Sequence, residues 1–259
     1  MRFALYSDLH REVKAWEPPA LDVPRGEAGA LDVVILAGDI ASHTHGLTWA
    51  AATFPQPVLY VAGNHEFYDA SFGLLAQLHK PVWEQSGVTF LERRAVELNG
   101  VRFLGCTLWS GFDLHGVGAQ QALAMTTARR NINDYWMIRG HDGKRLEPRE
   151  TLSIYRKSVA WLDAELSKPF VGKTVVITHF APHRGCVAPQ HEGSDVSPYF
   201  VSDQSRLMEK HRIDVWCHGH THTNNDFIAE GGCRVLSNQL GYPSEQASVG
   251  FRNDLVVEL

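Results

Sequence analysis

The chain is poor in the features that mark several large classes of protein. Its 259 residues include only four cysteines, Cys106, Cys186, Cys217 and Cys233. None forms a C-x-x-C pair, and Cys106, Cys217 and Cys233 stand in or beside apolar runs, so buried free thiols in a reducing cytosol are expected. Positive charge is not in excess: 24 Lys and Arg face 29 Asp and Glu, for a net charge of −5. That balance gives no support for a protein of nucleic acids or membrane surfaces. No apolar run is long enough to span a bilayer. Residues 2–6 read as a strand followed by polar residues, so no signal peptide is expected. There is no G-x-S-x-G elbow, P-loop lysine motif, internal repeat or domain linker. The remainder, 44% hydrophobic and 20% charged, suits a globular core, and a single domain over residues 1–259 is expected.

Histidine is what the chain has in excess, with fourteen residues, and their placement matters more than their number. Residues 31–43, LDVVILAGDIASH, set the pattern. A continuous apolar run suits a strand buried on both faces. Gly38 permits a turn, and Asp39 then sits at the carboxyl end of the strand, where open α/β sheets build their sites.

The pattern recurs along the chain. Residues 2–6 lead to Asp8 and His10; residues 57–62 lead to Gly63-Asn64-His65-Glu66; residues 173–178 lead to His179; residues 213–217 lead to His218-Gly219-His220-Thr221-His222. Helices are expected over 44–53, 71–85 with a kink at Lys80-Pro81, 120–130, 148–166, and 202–211 with Ser202 as its cap. Short strands over 88–91, 95–98 and 101–106 suggest a change to adjacent antiparallel pairing, with Asn99-Gly100 as a hairpin turn. A second hairpin is expected over 226–230 and 234–237, and a last strand over 255–258. Residues 17–29 read as a surface loop, 181–200 as a long loop, and 109–147 as an irregular, lid-like insertion. Two mixed β-sheets packed face to face with helices outside follow from this order, an α/β fold in four layers.

Carboxylate, imidazole and amide oxygen at five strand ends suit divalent Mn, Fe, Ni or Zn, and a thiolate zinc site is not expected. In Asp8-x-His10 and His220-x-His222, alternate side chains fall on one side of the backbone. D-x-H, G-D, G-N-H-E, a lone His after a strand, and G-H-T-H together resemble the calcineurin-like metallophosphoesterases, whose fold is the four-layer αββα sandwich. The resemblance implies one metal held by Asp8, His10, Asp39 and His222, and a second by Asp39, Asn64, His179 and His220, with Asp39 shared. It makes His65 the general acid, and implies hydrolysis of a small phosphate ester by water activated between the two metals. Glu66 or Asp69 would orient His65, although Glu66 reads more simply as a solvated first-turn carboxylate.

The sequence departs from the Ser/Thr protein phosphatases of that superfamily. After Gly38-Asp39 it lacks the second Asp and the Arg of G-D-x-x-D-R-G. This argues against a phosphoprotein phosphatase and leans toward a small diester such as a cyclic nucleotide. Trp109-Ser110-Gly111, Asn133-Asp134-Tyr135, and Asn238 with Gly241-Tyr242 resemble a bacterial branch of small phosphoesterases. Trp109, Phe112, Tyr135 and Trp136 read either as an aromatic wall for a leaving group or as the hydrophobic filling of the insertion. His43 reads as a substrate contact or a rim residue, His115, His183 and His191 as rim residues or supports behind the ligands, and His218 as a packed or supporting residue. The alternatives are a DNA nuclease of the same superfamily and a non-catalytic scaffold of this fold. The first is disfavoured by the acidic charge, the second by the intact His65 and ligand set.

Overall fold

The continuous apolar runs become strands buried on both faces, whose alternate residues meet different neighbours. A computed structural model describes residues 1–24, 31–245 and 250–259. In the first sheet, β1 (Arg2–Tyr6), β2 (Val33–Ala37), β3 (Val58–Val61) and β4 (Val88–Phe90) run parallel, and β11 (Val256–Glu258) lies antiparallel beside β1. The second sheet comprises β5 (Arg94–Leu98), β6 (Val101–Cys106), β7 (Lys173–Thr178), β8 (Val215–His218), β9 (Asp226–Ile228) and β10 (Arg234–Ser237), in the order β5-β6-β7-β8-β10-β9. Its edge strands β5 and β9 are antiparallel to their neighbours, and the four between them are parallel.

Leu5, Ile35 and Leu59 of the first sheet pack with Phe103, Val175 and Cys217 of the second. Their alternates Tyr6, Leu36 and Tyr60 belong to a second cluster that includes the helical Leu47 and Ala50. Likewise Leu104, Val176 and Trp216 share that cluster with Leu162 and Leu166 of the helix Pro148–Leu166. The result is the four-layer α/β sandwich. Because β1, β2 and β3 are adjacent and parallel, as are β7 and β8, their carboxyl ends open at one edge of the fold.

Most element boundaries follow the local signals. The helix Pro148–Leu166 begins with Pro at its first turn and a reciprocal Glu147–Glu150 capping box. Asn99 and Gly100 both take left-handed backbone, φ 49° and 75°, as a two-residue hairpin turn demands. Four expectations are corrected. The single helix over 71–85 is a 3₁₀ turn at Phe72–Leu74, then Leu75–Leu78 and Pro81–Gln85, because Pro81 forces Lys80 into extended backbone and starts a new helix. β4 does not join the antiparallel run: it pairs with β3, and the chain passes to the other sheet between Phe90 and Arg94. Ser202 caps no helix. Its Oγ accepts a bond from Gly111 N at 2.8 Å, and the helix starts at Ser205, whose N–H donates to Asp203. The strand expected over 213–217 begins two residues later, at Val215.

Within the segment 109–147, helices occupy Ala119–Asn131 and Asp134–Met137. Trp109, Phe112 and Tyr135 are fully buried, so they fill the segment and form no wall, while Trp136 faces outward beside the Arg129 and Arg145 guanidiniums. Residues 17–24 carry no helix or strand, and the rest of that expected loop lies outside the described residues. All four cysteines are buried and free. No helix among the described residues is long and apolar enough to cross a membrane.

Candidate metal centre

The five motif turns place all seven expected ligands in one cluster at the carboxyl edge of the two sheets. Potential donor atoms of Asp8, His10 and His222 lie within 4.8 Å of one another, as do those of Asp39, His179 and His220. Asn64 completes the second group, its Oδ1 3.1 Å from His179 Nε2, which is 3.4 Å from Asp39. The backbone is bent to achieve this. Asp8, His10, Asp39, His220 and His222 all have positive φ, between 46° and 75°. Such left-handed residues cost about 1–3 kcal/mol each and persist where surrounding structure holds them. Glycine supplies the clearance: a Cβ on Gly38 would stand 2.5 Å from His179 Nδ1, and one on Gly63 would strike Asp39 Oδ1.

Each of three imidazoles has its outward nitrogen fixed and its inward nitrogen turned into the site. His10 Nδ1 faces Glu12 at 3.1 Å, His222 Nδ1 faces Glu245 at 2.6 Å, and His179 Nδ1 donates to the Ala37 carbonyl at 2.9 Å. A carboxylate or carbonyl on one nitrogen fixes the tautomer that leaves the other nitrogen's lone pair available. The inward His10 and His222 Nε2 atoms then lie 3.0 Å apart, an arrangement that needs a proton or a cation between them. His220 Nε2 is buried with no hydrogen-bond partner. Leaving such an atom unmade costs about 1–3 kcal/mol, so it too fits a metal. The donor set of imidazole, carboxylate and amide oxygen matches that reading.

Charge in the cluster is tightly exchanged. Burial raises the Asp39 carboxyl, but His179 and His65 outweigh it and hold Asp39 well below the carboxylate range. Asp8 is held to about 2 against its burial by a bond to His222 and by the charge of His179. Burial opposes protonation of His179 and His222, yet Asp39 lifts the first to about 9, and Asp8 with Glu245 lifts the second to about 10. Burial, then the neighbouring His179, keeps His220 neutral. Metal binding would displace the imidazolium protons, since only the neutral ring ligates.

His65 lies over this cluster, its Nε2 3.8 Å from Asp39 and its ring 4.4 Å from that of His10. Glu12 holds it, not Glu66 or Asp69: His65 Nδ1 lies 2.8 Å from the Glu12 carboxylate, and Tyr242 OH lies 3.0 Å from Nε2. Glu12 therefore touches both His10 and His65, whose bonds keep it near 2 despite burial. Glu66 is not a solvated carboxylate. It is fully buried and accepts bonds from Asp39 N, Ile40 N, Gly63 N and Tyr60 OH, tying the β2 and β3 turns together.

Sequence reasoning missed several supports. Asp134, buried, accepts bonds from Asn64 Nδ2 and Tyr68 OH at 3.0 Å, and from Tyr199 OH. Gln239 Oε1 accepts from His222 N at 2.7 Å, and Gly241 N donates to the Asp8 carbonyl. Glu12 stands two residues after His10, and Asp134 and Tyr242 lie in short motifs noted above, so a weak signal existed for these three. Of the other histidines, His43 contacts the Tyr68 carbonyl, His115 the Ser194 carbonyl and His183 the Glu230 carboxylate. His191 lines the adjoining cavity. His218 is packed, as expected: its Nδ1 faces the Gly219 carbonyl, its Nε2 faces Cys186 Sγ, and burial pushes its pKa down to about 4.

The family model described as calcineurin-like phosphoesterase matches residues 1–224. The chain belongs to that family. It is a metal-dependent phosphoester hydrolase, and the family implies a dinuclear metal centre. The phosphoesterase is 26% identical over 205 residues to the uncharacterised protein L509 of Acanthamoeba polyphaga mimivirus, a match covering 73% of this chain and 69% of that one. Among solved structures, it resembles the phosphopantetheinyl hydrolase PptH of Mycobacterium tuberculosis, with a TM-score of 0.68, 18% identity, and 95% and 91% of the two chains covered. That is a likeness of fold. A dimetal phosphatase from Danio rerio matches with a TM-score of 0.49 and 15% identity, over 92% of this chain and 87% of that one.

Proposed function

We propose that the phosphoesterase hydrolyses a small phosphodiester in preference to a monoester. One divalent cation is held by Asp8, His10, Asp39 and His222, and a second by Asp39, Asn64, His179 and His220. The observation that carries the ligand assignment is the set of inward imidazole nitrogens, including the unpartnered His220 Nε2, converging on two buried carboxylates. The chemistry that such a pair supplies when bound is acidification of water and neutralisation of charge on the phosphoryl oxygens.

The chain's own groups do the rest. His65, fixed through Nδ1 by Glu12, presents Nε2 to the site and gives its proton to the leaving oxygen. Tyr242 keeps the ring in place through its hydroxyl and by stacking on His10, ring centroids 4.4 Å apart. Asp134 orients Asn64 so that its Oδ1 faces inward. The diester preference is supported by the missing Arg after Asp39 and by a cavity with no Lys or Arg among its described lining residues.

The test is elemental analysis of the isolated protein with hydrolysis of bis-p-nitrophenyl phosphate and p-nitrophenyl phosphate after loading with Mn, Fe, Ni or Zn. About two metals per chain and faster diester cleavage are expected. A strong monoester preference sinks the diester reading. Metal content unaffected by replacing His179 and His220 sinks the ligand assignment.

A further inference from the structure

A cavity of about 400 Å³ opens from the proposed ligands Asp39, Asn64 and His220. Among the described residues its charged lining is acidic or imidazole: Asp39, Asp134 and Glu245 contribute carboxylates, and neither Lys nor Arg lines it. Two phenols that could bind phosphate oxygens, Tyr68 and Tyr199, already donate to Asp134. Aliphatic side chains form much of the remaining wall, Ile132 after the helix Ala119–Asn131 and Val187, Ala188, Val196 and Val201 of the loop after β7. They are interspersed with the uncharged polar Asn131, Asn133 and Ser197 and with His191. Three of the lining aromatic rings each stack on an imidazole of the site. Phe200 stacks on His220 at 5.0 Å and Tyr68 on His65 at 4.1 Å, while Tyr242 covers His10.

Each of these facts bears on the substrate. Away from the metal ligands, where no side-chain cation besides imidazole stands among the described lining residues, a second or third negative charge on the ligand would meet carboxylates without compensation. A nucleobase would meet branched aliphatic side chains where it needs a free aromatic face. An aliphatic chain leaves water against that same wall, with a gain that grows with each methylene covered.

We infer that the substrate is a phosphodiester monoanion carrying at least one uncharged, aliphatic alcohol, seated against Ile132, Val187, Val196 and Val201. This rests on the phosphoester-hydrolase reading and narrows it, and it displaces the cyclic nucleotide suggested by the sequence. In the reaction, the oxygen of water bonds to phosphorus and the P–O bond to one alcohol breaks. That alcohol's oxygen takes the proton from His65 Nε2, and the proton lost by water returns to His65 or to solvent. The products are one alcohol and one phosphomonoester, with no change in oxidation state.

The experiment uses the full chain loaded with Mn²⁺, with symmetrical open-chain diesters, so either substituent can meet the wall, and one cyclic nucleotide. Calorimetry measures binding of dimethyl phosphate, dibutyl phosphate, bis(2-carboxyethyl) phosphate and thymidine 3′,5′-cyclic phosphate. The same compounds compete against bis-p-nitrophenyl phosphate hydrolysis. Dibutyl phosphate is expected to bind at least about tenfold more tightly than dimethyl phosphate, in line with the gain per buried methylene. The dicarboxylate should gain nothing over dimethyl phosphate, and the cyclic nucleotide should bind more weakly than the dibutyl ester. Val187→Lys should raise the affinity for the dicarboxylate relative to the dibutyl ester.

Equal binding of all four, no binding of any, or a preference for the charged or nucleotide ligand overturns the inference. If bis-p-nitrophenyl phosphate is still cleaved, the hydrolase reading stands. If the loaded protein cleaves no phosphate ester, that reading falls as well.

Discussion

The two proposed ligand sets are built from similar side chains but are supported in different ways. Asp39, Asn64, His179 and His220 are tied to the core. His179 donates to a backbone carbonyl of β2, Asn64 is held by the buried Asp134, and Asp39 accepts from His65 N and is steadied through its own N–H by Glu66. His10 and His222 depend instead on two more exposed carboxylates, Glu12 and Glu245, whose side chains are 20% and 40% exposed, while buried Asp8 accepts from His220 N. The difference is one of rigidity. The inner set is held by backbone groups and buried side chains, whereas each outer imidazole can be loosened by one partly exposed carboxylate.

Asp39→Asn removes the one ligand shared by both sets and should have the largest effect. A fall in kcat/KM of about a thousandfold or more is expected, together with loss of both metals, read by kinetics and elemental analysis. His65→Ala should lower kcat by about 10²–10⁴-fold while both metals remain, because His65 reaches over the sets and is not proposed to ligate. Metal loss in that variant would erase the distinction between acid and ligand. Glu245→Gln should weaken the outer metal alone by about 10–100-fold, measured by chelator competition, and leave the inner one unchanged. Equal weakening of both would break the contrast. The smallest effect is expected for Tyr60→Phe, which removes one of the donors to Glu66. A loss of about 1 kcal/mol in denaturant unfolding is expected, with metal stoichiometry intact.

The contrast also explains what could be read from the residues in order. β1, β6, β7 and the helix Pro148–Leu166 end where their apolar patterns and caps place them, because those signals are local. The ligand candidates were legible since each closes an apolar strand. Their supports were not. Asp134 meets Asn64 across 70 residues, and Tyr242 meets His65 across 177. Neither a period nor a turn rule reaches that far. Glu66 misled for the same reason: three residues after Gly63 it has the address of a solvated helix-start carboxylate, and only the fold turns it inward onto Asp39, Ile40 and Gly63.

That inward turn of Glu66 has a dynamic consequence. One carboxyl group collects the amide hydrogens of Asp39, Ile40 and Gly63, drawn from the turns that follow two different strands. None of the three can meet solvent deuterium without releasing the same acceptor. Their exchange should therefore proceed as a single slow opening with a shared protection factor, faster by a common ratio when Glu66 is replaced by Gln.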